Sequence, residues 1–118
     1  MLDSRLKKAL LVTFVFAFAF SVLAVIGLAL AEDDAGQAVY TKRCASCHGA
    51  DGKGETKAGQ ATKTPNILTA EWKNGKTQEA LEKTLREGLG KMPKYEGKMT
   101  PEEITAAAKY TLKVAGVK

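Results

Sequence analysis

The residues with the clearest chemistry are Cys44-Ala45-Ser46-Cys47-His48. Two thiols three positions apart, followed at once by histidine, have the spacing of a covalent haem attachment. Each thiol can add to one of the two vinyl groups of a haem, and the adjacent imidazole can then ligate the iron. His48 is the only histidine in the chain, so no other imidazole competes for that role. Three other chemistries use such a pair. A thioredoxin-like dithiol needs a neighbouring βαβ pattern, which is missing. A zinc site needs a fourth ligand, and the chain has no further Cys or His. A structural disulfide suits an oxidising compartment but leaves His48 unexplained. Haem c is therefore the expected cofactor, held through Cys44 and Cys47.

A second axial ligand would have to be a methionine. After residue 31 there are two, Met92 and Met99. A thioether is a soft ligand that favours ferrous iron and raises the reduction potential. Met92 lies in Gly88-Leu89-Gly90-Lys91-Met92-Pro93, where the glycines let the chain fold back and Pro93 fixes the backbone after the sulfur. Met99 directly precedes a helix start, where an apolar residue can staple against the new helix. The context favours Met92 as the ligand.

The composition agrees with a missing apolar group. Residues 1–31 hold 23 apolar residues, and all four Phe. Residues 32–118 hold 30, of which 12 are Ala. An 87-residue domain with so few large side chains is marginal without help, and the length excludes a multidomain enzyme. In the first part, Arg5, Lys7 and Lys8 precede a 23-residue apolar stretch ending in Ala29-Leu30-Ala31, an A-x-A site followed by Glu32-Asp33-Asp34. This is the pattern of a signal peptide cut after Ala31. An uncleaved membrane anchor is the alternative, because about 20 apolar residues span a bilayer. Either way residues 32–118 are expected outside the cytoplasm, in the periplasm. Their mild net positive charge suits an acidic partner surface. It is no nucleic-acid footprint, because aromatics do not interleave the lysines.

Three helices are expected in this second part, with no strand. The first covers residues 34–43. The second covers 77–87, with Leu81, Leu85 and Leu89 spaced by four. The third follows Thr100-Pro101-Glu102-Glu103, which combines an N-cap, a first-turn proline and a capping-box glutamate, and stops at Gly116. Residues 49–76 show no period and are expected as a loop wrapped around a ligand. Asp51 lacks the acidic companions of a calcium loop.

With these motifs in place, residues 32–118 resemble a class I cytochrome c of the small bacterial type. Gly36 and Tyr40 resemble the glycine and aromatic of the family's first helix. Cys44-Ala45-Ser46-Cys47-His48-Gly49 resembles its attachment site, and Met92-Pro93 its methionine-ligand loop. The resemblance implies an all-α cytochrome c fold, three to four helices around one covalent haem, preceded by a signal peptide. It implies that the Pro65 carbonyl accepts a hydrogen bond from His48, a contact that would orient the imidazole. It implies that Tyr110 packs on the Gly36/Tyr40 face. Trp72 and Tyr95 are expected as haem-pocket or packing aromatics rather than functional groups. The expected function is not enzymatic: a periplasmic carrier passing single electrons between redox proteins with acidic docking surfaces. A haem-based sensor or gas-binding module, with a displaceable sixth ligand, is one alternative. A fixed subunit of a membrane oxidase or dehydrogenase is another. Lys42, Lys53, Lys57, Lys91, Lys94 and Lys98 are the candidates for a docking ring, against the plainer reading of a solvated surface.

Overall fold

The computed structural model describes residues 3–118. Met1, Leu2 and the side chains of Ala29 and Leu30, in the expected cleavage site, lie outside the described residues. Six helices follow in order: α1 (Ser4–Arg43), α2 (Ala45–His48), α3 (Lys57–Thr62), α4 (Ala70–Lys73), α5 (Gln78–Glu87) and α6 (Pro101–Ala115). The described residues form no strand beyond two isolated bridges, Leu89 with Met92 and Glu96 with Met99. The all-α expectation holds. The chain divides into two compact units, Met1–Ala31 and Glu32–Lys118.

In the first unit every described side chain from 3 to 28 is exposed. Thr13 and Ser21 turn their hydroxyls back onto the carbonyls of Ala9 and Ala17, at 2.9 and 3.0 Å. Polar groups satisfied within their own helix are what an apolar surrounding requires. Among the described residues, α1 is the one helix long and apolar enough to cross a membrane.

In the second unit the first helical segment is already formed at residue 32, two residues before the expected start. Glu32 and Asp33 bond Lys109 and Lys113 of α6, at 3.0 and 2.8 Å. Both pairs are exposed, so each contributes little. Closer contact comes from Gly36, where an added Cβ would lie 2.6 Å from the Ala106 carbonyl oxygen. Only glycine lets the two backbones approach so nearly. One turn on, Tyr40 and Tyr110 pack with ring centroids 5.4 Å apart, as the resemblance implies. Tyr40 is 2% exposed, and its hydroxyl donates to the Gly49 carbonyl at 2.9 Å. Helices α5 and α6 supply the core: Leu81 and Leu85 meet Ile104, Ala107, Ala108 and the buried Met99.

Residues 49–76 are more structured than expected. Two short helices, α3 and α4, lie inside them. Six and four residues are too few to show a hydrophobic period, but each helix has a threonine N-cap. Thr56 accepts from Gly59 N and Thr69 from Trp72 N. Thr77 and Thr100 cap α5 and α6 in the same way. The hydroxyl answers one of the unpaired N–H groups at a helix start.

Candidate functional site

Helix α2 is the Cys-x-x-Cys-His turn itself. Cys44 is its N-cap residue and Gly49, at φ 77°, ends it. The turn is held from outside by Thr56. Its hydroxyl reaches the Ser46 carbonyl at 2.7 Å and the Cys47 carbonyl at 3.1 Å, while its oxygen accepts from Gly59 N. Gly59 packs α3 directly against this turn: a Cβ there would run into the carbonyls of Cys47 and Gly54. Gly54 N donates to the His48 carbonyl at 2.8 Å, which closes the loop behind the histidine.

These contacts aim three side chains into one cleft of about 350 Å³. Cys44, Cys47 and His48 form part of its wall, and both thiols are free. Burial, and then the neighbouring Cys47, pushes the Cys44 thiol up to about 11. Burial lowers the His48 pKa, which favours the neutral imidazole that a metal requires. His48 Nδ1 is buried with no hydrogen-bond partner. Pro65 lines the same cleft, but the expected bond between its carbonyl and His48 is not formed.

Met92 lines the cleft and is half-buried. It sits in a tight turn in which Leu89 N donates to Met92 O at 3.2 Å and Met92 N to Leu89 O at 2.9 Å. Gly88 and Gly90, at φ 75° and 58°, supply the left-handed backbone this turn needs. Met99 is 6% exposed within the α5/α6 core and does not line the cleft. The two methionines are thus separated by place: one on the cleft wall, one in the packing.

The remaining wall is apolar or basic. Ile67, Leu81 and Leu85 supply aliphatic surface, with Tyr40, Trp72 and Tyr95 as aromatics. Arg43, Lys63, Lys76 and Lys91 also line it, and no Asp or Glu does among the described residues. Of the six lysines proposed for a docking ring, only Lys91 is on this wall. Lys63 and Lys76 were missed because the folding of residues 57–76, not nearness in sequence to the motif, brings them there, whereas Arg43 directly precedes Cys44. Among the described residues, Lys63 is the one non-glycine residue at positive φ, 57°, where it ends α3. Lys76 lies over the Trp72 ring, its Nζ 5.2 Å from the centroid. Leu89 is 70% exposed, the one large apolar side chain of residues 32–118 found exposed.

Two free thiols, an unpartnered buried imidazole nitrogen, a thioether and a largely apolar wall suit an iron porphyrin. The basic rim suits its carboxylates. Zinc finds no such fit: among the described residues no three of His, Cys, Asp and Glu cluster as metal ligands.

Comparison with known proteins points the same way. The family described as cytochrome c oxidase, cbb3-type, subunit III matches residues 31–110. The chain is 34% identical to the cbb3-type cytochrome c oxidase subunit FixP of Bradyrhizobium diazoefficiens, over 70% of this chain and 28% of that one. It thus spans about a quarter of the length of the oxidase subunits it matches. Cytochrome c6 of Leptolyngbya boryana is 39% identical, over 70% of this chain and 92% of its own length. The solved c-type cytochrome KustC0563 superposes with a TM-score of 0.59 and 31% identity, covering 70% of this chain and 96% of that one. With the family match spanning more than half the chain, this protein belongs to the cytochrome c family, as a class I monohaem member with covalently bound haem c.

Proposed function

We propose that residues 32–118 form a single-electron carrier. In this reading Cys44 and Cys47 would hold the haem through thioethers, and His48 and Met92 would ligate its iron. Haem c, when bound, supplies one-electron chemistry at its iron. An electron-transfer role fits the family, whose members are electron carriers or oxidase subunits. The observation that carries the ligand assignment is the shared wall: His48 and Met92 face one cleft with both thiols, while Met99 is packed away. The chain's own contribution is to hold that geometry. Thr56 and Gly59 fix the turn that carries His48. The Leu89–Met92 turn offers the sulfur. Leu81, Leu85 and Ile67 keep water from the pocket. The ferric protein is expected to show the sulfur–iron charge-transfer band, and Met92→Ala to lose it. A mutant that keeps the band overturns the assignment. A wild type without it favours a sixth position open to an external ligand, as in a sensor.

The partner is proposed to be a redox protein with an acidic docking face. Arg43, Lys63, Lys76 and Lys91 give the cleft rim one sign of charge, and Leu89 adds an apolar contact beside them. Association driven by such a rim is expected to slow as ionic strength rises.

Residues 1–31 are proposed to direct export, with cleavage after Ala31. A second reading, a membrane-held cytochrome subunit, draws on the apolar length of α1 and on the oxidase subunits among the relatives. N-terminal sequencing of the exported protein separates them. A start at Glu32 supports release, and a start at Met1 supports the anchored form.

A further inference from the structure

We propose that Tyr95 is a positioning residue for the sixth ligand. Its hydroxyl ties the segment bearing Met92 to the end of α1, beside the first attachment cysteine. The proposal rests on the reading of Met92 as ligand.

Residues 88–99 leave α5 at Gly88 and rejoin helical structure at the Thr100 cap. Parts of this segment stand in open space. An added Cβ at Gly90 or at Gly97 would meet nothing within 4 Å. The hydrogen bonds between Leu89 and Met92 are internal to the turn and tether it to nothing else. The segment is tied down at Tyr95 and, by a longer bond from Glu96 N to the Arg86 carbonyl at 3.4 Å, beside it. The Tyr95 N–H donates to the Leu85 carbonyl at 2.9 Å, and its carbonyl accepts from Lys98 N and Met99 N at 2.9 and 3.0 Å. Its hydroxyl donates to the Arg43 carbonyl at 3.1 Å, across 52 positions of sequence. Arg43 immediately precedes Cys44, so this bond joins the Met92 segment to the attachment side of the cleft. The other side-chain bridge from the segment is longer: Lys91 Nζ lies 3.5 Å from the Ala61 carbonyl.

The Tyr95 ring is half-buried, lines the cleft and packs on the α5/α6 core together with Met92. Removing only the hydroxyl leaves that packing in place and releases the tether. Met92 would then be displaced from iron more readily, while the His48 side, held by its own contacts, would not change. An external ligand competing for the sixth position therefore measures the tether.

The test uses the haem-loaded ferric protein and imidazole as the competing ligand, followed by loss of the sulfur–iron band. Tyr95→Phe is expected to bind imidazole about fivefold more tightly than wild type, the factor one ordinary hydrogen bond supplies. Thr77→Ala is the control for a purely structural effect. It removes the α5 cap, away from the Met92 segment, at a comparable loss of stability. Its imidazole affinity is expected to stay within about twofold of wild type, well below the change one hydrogen bond makes. Unchanged affinity in Tyr95→Phe overturns the proposal, as does an equal shift in Thr77→Ala. A wild type that never shows the band overturns the Met92 assignment instead, so the two failures are distinct.

Discussion

The two walls of the cleft are built in opposite ways. On the His48 wall, a four-residue helix is gripped by side-chain and backbone contacts from α1, α3 and the loop between. Tyr40 bonds the Gly49 carbonyl, Thr56 bonds Ser46 and Cys47, and Gly59 leaves no room for a Cβ. On the Met92 wall, an irregular segment with left-handed glycines turns on itself, and few bonds tie it elsewhere. The residue proposed as one ligand, His48, is set into tightly packed structure; the residue proposed as the other, Met92, is carried on a strap. The proposed second ligand is therefore the one whose hold depends on fewer contacts. It also predicts where substitutions will act: on global stability at the first wall, on ligand retention at the second.

Gly59→Val should have the largest effect, because its side chain would meet two carbonyl oxygens of the backbone rather than a flexible side chain. A loss of about 3 kcal/mol, the upper end for an overpacked site, is expected in denaturant unfolding of the haem-loaded protein. Thr56→Ala removes a helix cap and two tethers of the attachment turn at once, and should cost about 1.5 kcal/mol. Gly90→Ala sharpens the contrast. There the space is open and only the left-handed backbone resists, so about 1 kcal/mol is expected. If Gly59→Val cost no more than Gly90→Ala, the difference between the walls would disappear.

The smallest effect is confined to high pH. Burial raises the Tyr40 phenol from 10.0 to about 12. The unfolded chain releases this proton first. The stabilisation is therefore full below pH 10 and is lost as pH rises through about 12. Stability measured across that range should fall less steeply in Tyr40→Phe than in wild type.

Much of the site was legible in the sequence because its chemistry is local. Cys44, Cys47 and His48 stand together, and the glycines and proline around Met92 marked it out before any fold was known. Helices α5 and α6 were legible from leucine spacing and from the capping box at Thr100. The stretch 49–76 was not, since a single helical turn has no period to read. Its signal lay in Thr56 and Thr69, whose capping role depends on residues that follow and not on any repeat. The basic rim was missed for another reason. Lys63 and Lys76 reach the cleft because α3 and α4 fold back over it, and nearness to a motif in sequence says nothing of that return. The preference for Met92 over Met99, read from the glycines and proline around Met92, has a physical counterpart in the packing. Seven residues apart, they differ in that Met99 is enclosed by α5 and α6 while Met92 stays on the cleft wall.

That separation is the central claim, and proton NMR of the ferrous, haem-loaded protein tests it most directly. A methionine methyl bound above the porphyrin is carried far upfield by the ring current, clear of every other methyl. The wild type and Met99→Leu are expected to show one such singlet, and Met92→Leu none. A singlet that survives in Met92→Leu, or vanishes in Met99→Leu, would contradict the account.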